Sequence, residues 1–271
     1  MLAAVLLALV GSADLVRSSR TASSHRARTA AVIAIAWVAI LLLALTGLGL
    51  PAWLVLVPIA LAGLWVTFTS AAPDATTRSG VLPAIGLLLA LTGFLIWDST
   101  APGASGYIVQ WHTSAPSPVL RQLPLAALML GVGLLLFLVE SANIIVRSAL
   151  RPTAPTPVQA RATGQVAVVP APPRTRRWWG GRAPEPVPQV ADLRGGRLIG
   201  PLERVLIVAL TLAGFFPIVA GLLAAKGIVR FPEISKDSAG GSKAEYFLVG
   251  SLASWTLALG AVGLLWLEAQ G

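Results

Sequence analysis

The segment LAALMLGVGLLLFLVESANIIV, residues 125–146, decides the fold class. It carries one charged side chain, Glu140, and a helix of its length crosses about 30 Å of hydrocarbon. Six more apolar runs have the same character: 1–16, 30–49, 52–70, 81–97, 199–225 and 244–268. The sequence therefore predicts an all-α fold, a polytopic transmembrane helical bundle of about seven spans.

The composition favours a membrane protein and excludes several kinds of active site. Hydrophobic residues make up 56% of the chain and charged residues 11%, whereas soluble domains have about 25% charged residues. Because cysteine is absent, a disulfide scaffold and a cysteine nucleophile are excluded. The chain also lacks the His-Glu-x-x-His zinc motif, a glycine-rich phosphate loop and a Gly-x-Ser-x-Gly elbow. We therefore expect no enzyme activity, no metal and no cofactor.

The positive charges predict an orientation in the membrane. The net charge is +9, and arginines cluster between apolar runs, at 17–28 and, nine of them, between Arg147 and Arg197. The positive-inside rule places both clusters in the cytoplasm. An arginine-rich, GC-type composition points to a bacterial plasma (inner) membrane, with the N-terminus outside and the C-terminus cytoplasmic. This topology puts residues 226–243 outside, where four of the five outer basic residues lie, so the last two spans strain the rule.

Three regions follow from this topology. Residues 1–146 form a five-span transmembrane region, and residues 198–271 form a two-span C-terminal region. The first span, 1–16, is interpreted as an uncleaved helix, with a short or truncated leader as the alternative. Between the two regions, residues 147–197 hold nine prolines and nine arginines, and we expect a cytoplasmic loop that is largely disordered.

A basic and aromatic group lies inside this loop: Arg174, Arg176, Arg177, Trp178, Trp179 and Arg182. Basic side chains close to an anionic membrane surface each contribute about 1 kcal/mol of binding. The group therefore favours docking on anionic lipid headgroups or a plain solvated linker, and a protein partner is the alternative. Nucleic acid is not expected as a partner.

The ends of the first and fifth spans resemble each other. Gly11-Ser12-Ala13-Asp14 corresponds to Glu140-Ser141-Ala142-Asn143, and an arginine follows both stretches. This match predicts a 3+1+3 parallel repeat, with chance similarity of apolar helices as the alternative.

Charges within apolar runs mark the candidate site, because burial at the membrane centre costs about 2.5–3.5 kcal/mol per charge on insertion scales. Together with the amide of Asn143, these charges are interpreted as one intramembrane polar cluster. Its members are Asp14, Arg17, Glu140, Asn143, Arg147, Glu203 and Arg204. We expect Glu140 to meet Arg204. Three interpretations stay open: a structural clamp between helices, a path for an ion or solute, and span boundaries that are misplaced.

Five tryptophans lie near predicted span ends, where an aromatic belt meets the lipid headgroups: Trp53, Trp65, Trp97, Trp111 and Trp266. Their positions predict side chains that anchor the helices at the membrane interface.

Residues 196–255 contain Gly-Arg-Leu-Ile-Gly-Pro-Leu-Glu-Arg at 196–204, Ala-Ala-Lys-Gly-Ile-Val-Arg-Phe-Pro-Glu-Ile at 224–234 and Ala-Glu-Tyr-Phe-Leu-Val-Gly-Ser at 244–251. This series resembles the C-terminal region of a family of uncharacterised bacterial inner-membrane proteins, a domain of unknown function. The resemblance implies no reaction. It implies that a second group of residues belongs with Glu203 and Arg204: Lys226, Arg230, Phe231, Glu233, Glu245 and Tyr246.

Two functions are consistent with these features. The first is an accessory or interaction subunit of a membrane protein complex, with lipids and other membrane subunits as partners. The second is a small-solute or ion transporter in which Glu140, Asn143, Glu203 and Arg204 line the path.

Overall fold

The computed structural model describes residues 1–19, 26–69, 81–98, 103–150, 196–235 and 242–270. Regular structure in these ranges is entirely helical. The helices are α1 (Leu2–Ser18), α2 (Arg26–Leu42), α3 (Ala52–Phe68), α4 (Val81–Asp98), α5 (Tyr107–Thr113), α6 (Pro118–Gln122), α7 (Leu125–Leu136), α8 (Ala142–Ala149), α9 (Gly196–Leu212), α10 (Phe216–Ser235) and α11 (Ser242–Gln270). π-helical turns extend α2 over Leu43–Gly47 and join α7 to α8 over Phe137–Ser141. The all-helical prediction is confirmed.

Several of these helices suit a membrane. Three are long and apolar enough to cross one, Arg26–Gly47, Leu125–Ala149 and Ala244–Gln270, and shorter apolar helices cover Ala52–Phe68, Leu82–Trp97 and Phe216–Val229. Large apolar side chains such as Leu82, Ile96 and Val229 are more than two-thirds exposed on the outside of the bundle. Such surfaces are stable in lipid and costly in water.

Helix α1 lies at the centre of the bundle. Eleven of its residues between Leu2 and Asp14 are buried, as expected for a helix that is apolar on all sides. Glycines bring it close to α7: a Cβ added to Gly11 would lie 2.6 Å from the Leu136 carbonyl carbon, and one added to Gly133 would lie 2.7 Å from the Ala4 carbonyl oxygen. Because residue numbers rise together along this contact, α1 and α7 run parallel.

Helix α11 runs antiparallel to α7 and α8. A Cβ on Gly250 would lie 3.3 Å from Leu150 Cδ1, whereas a Cβ on Gly131 would lie 3.8 Å from Leu265 Cδ2. The end of α11 thus lies beside the start of α1, where the Met1 nitrogen is 3.7 Å from Glu268 Oε1. The two ends of the described chain therefore lie at the same end of the bundle, and the orientation of the termini in a membrane stays a prediction.

The predicted continuous span 199–225 is wrong, because the chain turns back within it. Helix α9 ends at Leu212, Gly214 adopts a φ of +78°, and α10 begins at Phe216. Lys226 Nζ lies 2.7 Å from Glu203 Oε2, although a straight helix would separate these residues by about 35 Å. Glycine permits the left-handed turn, and Pro217 has no N–H with which to continue α9, so the two helices form a hairpin.

The 3+1+3 repeat is not confirmed, and the hairpin gives it no support. A parallel repeat requires the second and sixth spans to match, yet α2 continues to Gly47 as one rod while α9 and α10 fold back on each other. A parallel repeat also requires the same relative direction in both halves: α11 should run along α7 in the direction in which α3 runs along α1. Helix α3 runs parallel to α1, since Trp65 contacts Asp14 and Thr69 contacts Arg17, whereas α11 runs antiparallel to α7.

Candidate functional site

Asp14 is fully buried between α1 and α3 and accepts two hydrogen bonds. Arg17 Nη1 donates to Oδ1 at 2.8 Å, and Trp65 Nε1 donates to Oδ2 at 2.8 Å. Arg17 also donates to the Thr69 hydroxyl at 3.2 Å and to the Thr69 carbonyl. Both carboxylate oxygens therefore have donors, as a charge removed from water requires.

The aromatic-belt prediction is wrong for Trp65. Its side chain is 3% exposed and donates to Asp14, so it lies inside the bundle. Trp53, Trp97, Trp111 and Trp266 are each more than half exposed, which suits interfacial positions. Hydropathy cannot separate the two kinds of tryptophan, because only tertiary contacts reveal which indole N–H meets a carboxylate.

We predict that Trp65→Phe destabilises the protein. Phenylalanine fills most of the same volume but donates no hydrogen bond, so Asp14 Oδ2 loses its donor at a cost of about 1–3 kcal/mol. The loss should appear as a lower melting temperature of the detergent-solubilised protein. Trp53→Phe, on the same helix at 63% exposure, is the matched control and should leave the melting temperature unchanged. Equal melting temperatures for the two variants would contradict the role assigned to the indole.

A π-helical turn organises the second part of the site. Ala142 donates its N–H to the Phe137 carbonyl, five residues back, and such turns leave backbone carbonyls open to side-chain donors. Arg204 Nε donates to the Leu138 carbonyl at 3.0 Å, and Asn143 Nδ2 donates to the Val139 carbonyl at 3.1 Å. Polar side chains therefore satisfy the backbone where the helix widens.

Arg204 is 2% exposed and joins three helices. Besides the Leu138 carbonyl on the π turn, Nη2 donates to Asn143 Oδ1 at 2.6 Å and Nη1 to Ser254 Oγ at 3.4 Å. A rigid guanidinium fork suits three acceptors that lie in different directions. Arg204 thus connects α9 to α8 and α11.

Glu140 lies at 5% exposure beside Asn143 and Arg147. Asn143 Nδ2 lies 3.4 Å from Glu140 Oε2, and Arg147 Nη2 lies 3.7 Å from Glu140 Oε1. The hydrogen bonds of Asn143 therefore link Glu140 to Arg204, the residue that sequence reasoning expected Glu140 to meet.

The third part of the site closes the α9–α10 hairpin. Lys226 Nζ donates to both oxygens of Glu203, at 2.9 and 2.7 Å, and Trp255 Nε1 donates to Oε1 at 2.9 Å. Lys226 also lies over the Trp255 ring, 5.6 Å from its centroid. Glu203 is 9% exposed, and the Lys226 side chain is 27% exposed. Glu203 and Arg204 are adjacent in sequence, but they face different partners.

The remaining predicted site residues lie elsewhere. Glu245 and Tyr246 are exposed at the start of α11. The backbone of α10 includes Arg230, Phe231 and Glu233, whose side chains lie outside the described residues. The group Arg174–Arg182 and the whole predicted loop 151–195 lie outside them too. Sequence reasoning missed four neutral partners of the charged groups, for which no charge or motif gave a signal: the donors Trp65 and Trp255 and the acceptors Thr69 and Ser254.

The described part of the chain offers little catalytic chemistry. It holds no group of three His, Cys, Asp or Glu residues arranged to bind a metal ion. His112, buried between α5 and α6, places Nε2 2.8 Å from the Leu120 carbonyl and 3.1 Å from the Leu123 carbonyl. These contacts hold the two short helices together. The carboxylates described above are paired with cations or indoles.

Comparison with known proteins identified no relative. No protein-family model matches the chain, and neither a curated protein nor a solved structure is significantly similar to it. The resemblance of residues 196–255 to an uncharacterised membrane family therefore stays a prediction.

Proposed function

We propose that the chain is an integral protein of the bacterial inner membrane and serves as an accessory, interaction subunit of a membrane complex, without a catalytic site. One observation carries the proposal: the buried charges bind each other. Asp14 is held by Arg17 and Trp65, and Glu203 by Lys226 and Trp255. Paired charges at helix contacts fix the register of a scaffold, whereas a transport path needs groups that exchange partners.

The outer surface supports the same proposal. Gly86 and Gly93 on α4, and Gly221 and Gly227 on α10, have open space where a Cβ would be. Small residues on an exposed helix allow another transmembrane helix to approach closely. Helices α4 and α10 are therefore the faces that we expect to contact other membrane subunits, and anionic lipid headgroups remain expected partners of the basic segments.

Purification tests this proposal. The protein, extracted from its native membrane in a mild detergent, should migrate with other subunits in an assembly larger than the 28.0 kDa chain. Leucine at Gly93 or Gly221 should weaken that association and leave the melting temperature of the isolated chain unchanged, because both positions face open space. Migration of the unsubstituted protein only as a free monomer would contradict the proposal.

Transport is the second candidate, and the α9–α10 hairpin favours it. Helices broken at membrane depth are typical of ion and solute sites in transporters, and Lys226 is partly open to the outside. We expect reconstituted protein to give no flux of inorganic ions or small organic acids above that of empty liposomes. A flux that disappears in Glu140→Gln and Glu203→Gln would replace the accessory role with transport.

A further inference from the structure

We infer that the α9–α10 hairpin is re-entrant: it enters and leaves the lipid on the face where α8 ends. The start of α11 then lies on that same face, and the end of α11 lies on the opposite one. This inference concerns the path of the chain and stands apart from the proposed function. Three independent observations support it.

The first observation is the depth of the two hairpin arms. Arg204 bonds to the Leu138 carbonyl and to Asn143, at the level where the π turn meets the start of α8, so the neighbouring Glu203 lies at about that level. Lys226 binds Glu203 and therefore lies at a similar depth. From Lys226, α10 continues to Ser235, and this last part of the helix leads away from the Gly214 turn, toward the face at which α9 begins.

The second observation is the length of the arms. Helix α9 has 17 residues, which span about 25 Å, and the hydrocarbon layer is about 30 Å thick. A helix of this length that starts at one face ends short of the other face. The turn at Gly214 is therefore in reach of the lipid interior, where its backbone bonds are local: Gly214 N–H donates to the Thr211 carbonyl and Phe215 N–H to the Leu210 carbonyl.

The third observation is the distribution of basic residues between the two faces of the membrane. A continuous span over 199–225 leaves five basic residues on the outer face and 14 on the inner face. A re-entrant hairpin moves Lys226, Arg230, Lys236 and Lys243 to the inner face. Arg121 alone then stays outside, against 18 basic residues inside. The positive-inside rule strongly favours the second arrangement.

Single cysteines test the inference directly, because the natural chain contains none. Ser242→Cys reports on the start of α11, Ala149→Cys on the end of α8, and Ser114→Cys on the opposite end of the bundle. Intact cells that express each variant are treated with a membrane-impermeant maleimide, before and after the membrane is opened. We expect Ser242→Cys to behave as Ala149→Cys does, and Gln270→Cys to behave as Ser114→Cys does.

The comparison is relative, so it holds whichever face is cytoplasmic. Labelling of Ser242→Cys together with Ser114→Cys would overturn the re-entrant hairpin, since the chain would then cross the membrane once between Ala149 and Ser242. Alkaline phosphatase fused after Gly271 gives a second readout that needs no substitution. If Ser114→Cys is labelled in intact cells, Ser114 lies on the outer face, and we expect the phosphatase fusion to lie there too and to be active. An inactive fusion in that case would contradict the inference. Monomeric behaviour in detergent would leave this result unchanged, so failure of the proposed function is distinguishable.

Discussion

Arg204→Met should lower the free energy of unfolding more than any other single change discussed here. Methionine keeps most of the side-chain length but removes the donors to the Leu138 carbonyl, Asn143 and Ser254. Removing one member of a buried ionic network costs about 3–5 kcal/mol, because the remaining polar groups stay buried without partners. We expect little folded protein after size-exclusion chromatography in detergent.

Two further variants show whether the geometry of Arg204 or only its charge matters. Arg204→Lys keeps the charge but cannot reach three acceptors in different directions, so it should recover only part of the lost stability. Arg28→Met, at an exposed position near the start of α2, is the control for loss of an arginine and should melt as the unsubstituted protein does. Full stability of Arg204→Met would show that the network contributes nothing to the fold.

Gly11→Ala should give the second largest effect. The added Cβ would meet the Leu136 carbonyl carbon at 2.6 Å and the Leu136 Cβ at 2.8 Å, and neither backbone nor Cβ can move aside alone. Helix α1 must therefore move away from α7, at a cost of about 1–3 kcal/mol for overpacking. The melting temperature should fall, although alanine is the better helix former.

Gly131→Ala is the matched control, since it makes the same substitution on the α7 side of the bundle. Its Cβ would meet only Leu265 Cδ2, at 3.8 Å, which is ordinary contact. Because no clash opposes it, the higher helix propensity of alanine determines the change in the free energy of unfolding, which should stay the same or rise by up to about 1 kcal/mol. Similar losses for both variants would mean that general glycine flexibility, and not the close α1–α7 contact, explains the effect.

Much of the fold was predictable because it depends on local properties. The lengths of the apolar runs predicted the helices at 2–18, 26–47, 52–68, 81–98 and 125–149 to within a few residues. Charges inside the apolar runs, including 199–225, predicted where buried polar groups would lie, and Asp14, Glu140, Glu203 and Arg204 are all buried. Hydropathy and burial cost act residue by residue, so they can be read without knowledge of neighbouring helices.

The partners of those charges were not predictable in the same way. Trp65 and Trp255 donate to carboxylates from other helices, 51 and 52 residues away in sequence. An indole looks the same in sequence at a membrane interface and inside a bundle. Asn143 was predictable in part. Its spacing of three residues from Glu140 predicted that the two share a helix face, whereas its bond to Arg204 depends on how α8 packs against α9.

The sequence by itself determined that this is a helical protein with membrane-length apolar segments and a strongly asymmetric distribution of arginine, because length, hydropathy and charge are properties of single segments. Only the tertiary structure decided that residues 199–225 form a hairpin and that α11 runs antiparallel to α7. The physical reason is that a glycine at position 214 is compatible both with a continuous apolar span and with the turn of a hairpin, so the residue itself does not distinguish them. The contact between Glu203 and Lys226, which turns the chain back, involves residues that a straight helix would hold far apart.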